Sequence, residues 1–238
     1  PLMRRLPLFF GAVRFQETIF ALPFAYSGMV LAADGLPSLR QFVWITVAMV
    51  SARTLGMSAN RVIDRHIDAG NPRNAGRHLP TGLLSTYDMA GLAAVSAVVF
   101  FLAAGLLNPL ALVLAPLAAA YLVLYPFTKR FTWTANLLLG WALAIAPSAA
   151  WIGVRGTLSW EPVLLSTAVA LWAASFDILY HAQDLDFYVS QGLHSVPQRF
   201  GVRAAFWWAR VVDVAAAVCL VALGVGMGLS FPYFVGCA

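Results

Sequence analysis

Charge is scarce in this chain. Lys, Arg, Asp and Glu make up 11% of its 238 residues against 61% hydrophobic ones, and the mean hydropathy is +0.79. That balance excludes an ordinary soluble domain and a disordered chain alike. Cysteine is nearly absent too: Cys219 and Cys237 stand in or beside apolar runs, with no CxxC pair and no histidine cluster, which excludes a disulfide framework and a zinc site. No small-residue cleavage pattern follows the first apolar run, so that run reads as a retained span and not as a removable signal.

What fills the chain is apolar sequence. Runs long enough to cross a bilayer, about 20 residues each, occupy 15–33, 41–60, 88–107, 109–125, 133–152, 162–183 and 204–228. The expected fold is all-α, a polytopic transmembrane bundle of seven spans in a single domain over 1–238. Ser230 to Ala238 then begins another apolar run without a polar tail, a stub that suggests a sequence cut short. Gly224, Gly226 and Gly228 predict close packing of the last full span against a neighbour.

The formal charge of +5 does not point to nucleic acid, because its placement follows the spans. Arg4, Arg5 and Arg14 precede the first span, Arg61, Arg65, Arg73 and Arg77 follow the second, Lys129 and Arg130 the fourth, and Arg199 and Arg203 the sixth. The alternate loops carry only Arg40 and Arg155. The positive-inside rule therefore puts the N-terminus and the basic loops in the cytoplasm, and suggests a bacterial inner membrane protein with its active site on that side.

Two acidic segments open to the same side. The second span ends in Asn60, Asp64 and Asp68, spaced so that an amide and two carboxylates climb one helix face at about 6 Å per step. Carboxylates in such a place are expensive, and two neighbours suit a hydrated divalent cation holding an anionic substrate. The sixth span ends in Asp177, Tyr180, Asp184 and Asp186, and each segment is followed by a Gly/Pro loop with basic residues. That parallel is consistent with an internal duplication whose acidic ends face each other across a central cavity. At the end of the fourth span, Tyr125-Pro-Phe-Thr-Lys129-Arg130 sets a cation pair on the carboxylate side. It suits a diphosphate, or else it anchors the span end among headgroups. Arg53 lies two turns before Asn60, deeper in the membrane. It is either the partner of a substrate carboxylate or half of a structural pair with an acidic residue on another helix.

In this order the motifs resemble those of the UbiA superfamily of intramembrane prenyltransferases, from about Phe15 to Gly201. They are Asn60-x-x-x-Asp64-x-x-x-Asp68, the Arg-x-Leu-Pro-Thr-Gly loop at Arg77 to Gly82, Tyr125-Pro-x-x-Lys129-Arg130 and the acidic motif at Asp184. Ser51 to Arg61 together with Asp177-x-x-Tyr180-x-x-x-Asp184 is most similar to 4-hydroxybenzoate polyprenyltransferases and related menaquinone-pathway enzymes. The resemblance implies nine helices around a central cavity, of which seven and a stub are present here. It implies Mg²⁺ held through Asp64, Asp68 and Asp184, and a polyprenyl diphosphate whose charge is met by Lys129 and Arg130, with Arg61 and Arg77 as further candidates. Tyr125 and Tyr180 would steady an allylic cation, Asn60 and Asp177 would orient substrate or ligand water, and Arg53 would hold the carboxylate of an aromatic acceptor. The acceptor expected is 4-hydroxybenzoate; a 1,4-dihydroxynaphthoate-type ring is the alternative. One departure stands out: where the motif normally has a second Asp, four residues after Asp184, this chain has Tyr188, which weakens any second metal site. A transporter built on intramembrane carboxylates is the rival from another class, and it would place them near the bilayer midplane.

Overall fold

The structure, a computed structural model, describes residues 2–237, with side chains from Leu6 onward; those of Arg4 and Arg5 lie outside the described residues. The long helices are α2 (Gln16–Ala33), α3 (Leu39–Ile63), α5 (Thr86–Leu107), α6 (Pro109–Leu124), α7 (Ala135–Arg155), α8 (Trp160–Ala182) and α11 (Val202–Gly226). Between and around them stand the shorter α1 (Leu2–Ala12), α4 (Arg65–Gly70), α9 (Leu185–Ser190), α10 (Val196–Phe200) and α12 (Phe231–Gly236), with a 3₁₀ turn over Tyr125–Arg130 that prolongs α6. Among the described residues six helices are long and apolar enough to cross a membrane. The seventh expected span, α2, is a helix of 18 residues whose first turn carries Gln16 and Glu17. The chain is an all-helical integral membrane protein.

Helix starts follow capping chemistry. Ser38 accepts from the Gln41 N–H while Gln41 reaches back to the Ser38 N–H, and Ser85 and Asp88 do the same for α5. Asn108 turns the chain between α5 and α6 by accepting from the Ala111 N–H, with Pro109 supplying the first helical position. Helix α7 packs along α8 and α2, α3 packs along α5, and α11 packs along α8.

Small residues make these contacts possible. Gly28 lies on the Pro147 backbone where α2 crosses α7, and Gly140 lies on the Ala170 backbone where α7 crosses α8. In lipid, where apolar burial gives little net drive, such close backbone approach is a main source of helix association. Gly224 and Gly226 meet the rings of Tyr233 and Trp160, as close packing of α11 requires. Gly228 differs: it has φ +64° and nothing near it, so its role is to turn the chain after α11.

The alternating direction of the long helices brings the ends of α3, α6 and α8 to one end of the bundle. The polar residues of the acidic segments gather at those ends and not at mid-span.

Candidate active site

Helix α3 does not simply stop at its acidic motif. The Asp64 N–H donates to the Asn60 carbonyl (2.9 Å) and the Asp68 N–H to the Asp64 carbonyl (2.8 Å), so Asn60, Asp64 and Asp68 keep one-turn spacing through the junction with α4. Asp64 sits at that junction with φ −95° and ψ 5°. Asp184, at the junction of α8 and α9, has nearly the same backbone, φ −106° and ψ 18°. Each acidic motif is thus a long helix followed by a six-residue helix that starts from an aspartate, which is the structural form of the parallel seen in the sequence.

Asp64, Asp68 and Asp184 are each met by a cation. Asp64 is 2% exposed; Lys129 Nζ donates to its Oδ2 in a very short contact, and Arg130 Nη2 donates to its Oδ1 at 3.2 Å. Asn60 Nδ2 donates to Asp64 Oδ2 at 3.3 Å. Asp68 is 4% exposed and accepts from Arg77 Nη1 at 2.7 Å on each oxygen, with Asn74 Nδ2 at 3.1 Å. Arg61 Nη1 stands 3.8 Å from Asp68, while its Nε donates to the Ala12 carbonyl. Asp184 accepts from Arg73 Nη1 at 2.8 Å, and that guanidinium lies 4.4 Å above the Tyr180 ring. The bond to Asp184 holds the Arg73 pKa above its ordinary value.

A buried polar chain backs the second motif. The Val196 N–H donates to Asn136 Oδ1 at 2.9 Å, which fixes the orientation of that amide. Asn136 Nδ2 then donates to Asp177 Oδ2 at 2.7 Å and to His181 Nδ1 at 2.6 Å. With Nδ1 accepting, the neutral imidazole carries its proton on Nε2 and donates it to the Tyr188 hydroxyl at 2.7 Å. Tyr188 is 5% exposed, and burial, followed by the fields of Asp177, Asp64, Asp184 and Asp68, raises its pKa, so it stays a neutral phenol. Asp186 is exposed and does not replace the missing carboxylate. Asn136, fully buried at the start of an apolar span, is the member of this network the sequence reading passed over. The signal was there, since an amide in such a span is costly unless bonded.

Arg53 donates to Glu17 Oε2 (3.2 Å) and Thr18 Oγ1 (3.2 Å), the structural pair foreseen as one of its two readings. It also lines, with Tyr125, an apolar cavity between α2, α3, α5, α6 and α7. Ile45 lines that cavity twelve residues before Met57 on α3, a depth of about 18 Å at helical rise. A second, arginine-lined hollow holds Arg14, Arg61, Arg73 and Arg77 and shares no lining residue with the first.

A profile of the UbiA prenyltransferase family matches residues 21–238. A 4-hydroxybenzoate octaprenyltransferase of Vibrio cholerae serotype O1 is 34% identical over 211 residues, covering 87% of this chain and 73% of its own length. The chain belongs to the UbiA prenyltransferase family. The apo structure of a UbiA homolog from Aeropyrum pernix K1 superposes with a TM-score of 0.87 at 33% identity, over 93% of this chain and 83% of that one. A UbiA homolog from Archaeoglobus fulgidus bound to GPP and Mg²⁺ shares the fold, with a TM-score of 0.77 at 19% identity over 97% of this chain and 82% of that one.

This UbiA prenyltransferase therefore has, at one end of its bundle, two acidic helix junctions interleaved with Lys129, Arg130, Arg73 and Arg77. Its ring offers hard carboxylate and amide oxygens and no thiolate, the donor chemistry of a magnesium-like cation. Among the described residues no three His, Cys, Asp or Glu side chains lie close enough together to hold a metal ion. A cation here would share its ligands with the substrate.

Proposed function

We propose that the chain transfers a polyprenyl group from a polyprenyl diphosphate to 4-hydroxybenzoate, at a site facing the cytoplasm of a bacterial inner membrane. The observation that carries the reading is the pairing of Asp64 with Lys129 and Arg130. Two cations are stored on a carboxylate beside an apolar cavity, and phosphate oxygens are their natural alternative partners. The name of the Vibrio relative and the GPP and Mg²⁺ bound by the Archaeoglobus homolog support it.

The chemistry follows from charge. The C1–O bond of the allylic diphosphate breaks with its electron pair going to the leaving diphosphate, and Lys129, Arg130 and Arg77 hold that charge. Asn60, Asp64, Asp68 and Asp184 are the side chains that would hold Mg²⁺, which when bound would supply Lewis-acid neutralisation of the diphosphate charge. Tyr125 and Tyr180 present π faces, not nucleophiles, to the allylic cation. The isoprenoid tail lies in the apolar cavity. A ring carbon of the phenol bonds to C1, and the proton it loses passes to water at the mouth.

Arg53 shifts from Glu17 to the acceptor carboxylate in this reading. Offering 4-hydroxybenzoate and its neutral amide in parallel tests it. The acid is expected to be preferred by at least about tenfold in kcat/KM, the worth of one charge-assisted hydrogen bond, and Arg53→Met is expected to abolish the preference. An unchanged preference in the variant would reject Arg53 as the carboxylate's partner, and a better rate on 1,4-dihydroxynaphthoate would reject 4-hydroxybenzoate as the acceptor.

A further inference from the structure

The two acidic junctions are not equivalent. On the α3 side Asn60, Asp64 and Asp68 offer oxygen ligands on three successive turns. On the α8 side Asp184 has no second carboxylate one turn further on. Asp184 is paired with Arg73, Asp177 is bonded to Asn136, and Asp186 is exposed. The position one turn beyond Asp184, marked by the Tyr188 N–H donating to the Asp184 carbonyl at 3.0 Å, carries a neutral phenol committed to His181.

We propose that this chain carries a single divalent cation in its active site, on Asn60, Asp64 and Asp68, and that Arg73 supplies on Asp184 the positive charge a second ion would bring. Tyr188 sets that count. The proposal rests on the prenyl-transfer reading and narrows its metal site.

Two features separate Arg73 from the cations on the other junction. Lys129 and Arg130 stand beside Asp64, and an incoming diphosphate gives them new partners, which frees Asp64 for the ion. Arg73 has a second anchor. Its guanidinium is stacked 4.4 Å over Tyr180 while it bonds Asp184 at 2.8 Å, so it keeps its place when phosphate arrives. Arg73 neutralises Asp184, while Asp177 is bonded to Asn136 and Asp186 is exposed, so the α8 junction offers a further cation no free pair of carboxylates. An aspartate at position 188 would stand one turn from Asp184 and supply the second carboxylate, at the spacing Asp64 and Asp68 have on the α3 side. The His181 proton that Tyr188 accepts also leaves the phenol's own hydrogen free to donate to a phosphate oxygen, a contact that asks for no metal.

The test counts ions directly. Purified chain in detergent is titrated with Mn²⁺ in the presence of inorganic diphosphate, and bound Mn²⁺ is obtained from the fall in the electron paramagnetic resonance signal of free Mn²⁺. One tight ion per chain is expected in the unmodified protein and in Tyr188→Phe, which keeps the ring and removes the hydroxyl. Tyr188→Asp is expected to bind two. Asp184→Asn is expected to keep its ion and Asp64→Asn to weaken it at least tenfold, so the assignment holds even if Tyr188→Asp does not fold. Two ions in the unmodified chain, or loss of the single ion in Asp184→Asn, would overturn the proposal while leaving prenyl transfer intact. No ion at all would reject the metal-assisted reading as well. Arg73→Gln should weaken diphosphate binding about tenfold with the ion count unchanged.

Discussion

Asp64→Ala is expected to lower prenyl transfer by about a thousandfold, the scale at which removing a preorganised electrostatic element acts on a transition state. The side chain is almost wholly buried, and it meets Lys129, Arg130 and Asn60 at once. Removing it takes away an ion ligand and leaves two partly buried cations without their carboxylate. The second effect is one of stability, about 3–5 kcal/mol for an unpaired buried charge. The two losses are separated by Asp64→Asn, which keeps the shape and one of the two acceptor oxygens while removing the charge. That variant is expected to stay folded by thermal unfolding in detergent and still to lose most of the activity. An Asp64→Asn enzyme with near-normal kcat would mean that Asp64 is only a strut for Lys129.

The largest expected effect on stability is at Gly140. A methyl group there would be driven into the Ala170 carbonyl and toward the Ala174 N–H, both backbone atoms of α8 that have no rotamer to retreat into. Overpacking commonly costs about 1–3 kcal/mol, and a backbone obstacle puts Gly140→Ala at the upper end or beyond. The α7–α8 contact also carries the link from Asn136 to Asp177 and His181, so separating these helices disturbs the site as well as the bundle. The expected result is a clear drop in thermal midpoint together with loss of transfer. Gly91→Ala, on α5 with open space around it, should leave both unchanged. Equal behaviour of the two variants would contradict the packing described.

The long helices were legible because a bilayer demands apolar length. Each of the seven apolar runs lies on one helix to within a few residues, and α3 extends past its run because the polar Asn60–Ile63 turn is held by the motif's own hydrogen bonds. The six-residue helices α4 and α9 were not foreseen, since their sequences, Arg65–Gly70 and Leu185–Ser190, are too short to show a period. The acidic ring was visible as spacing, and so was the neutral Tyr188. Partners were not. Arg73 sits in a loop, and nothing local says that it reaches Asp184, 111 residues away. Arg61, a further candidate for the phosphate charge, spends its Nε on the carbonyl of Ala12, a backbone atom with no sequence signature. Asp177, expected to orient substrate or water, is engaged by the Asn136 amide. That pairing depends on how α7 crosses α8 and therefore on Gly140.

The central claim is that a cation-assisted diphosphate site feeds an aromatic acceptor, and the most direct measurement is transfer itself. Detergent-solubilised chain is given a radiolabelled prenyl diphosphate and 4-hydroxybenzoate with and without Mg²⁺, and extracted product is counted. Labelled prenyl-4-hydroxybenzoate that requires Mg²⁺ and disappears in Asp64→Ala is the predicted result. Failure of the folded chain to bind the prenyl diphosphate, with or without Mg²⁺, would contradict it.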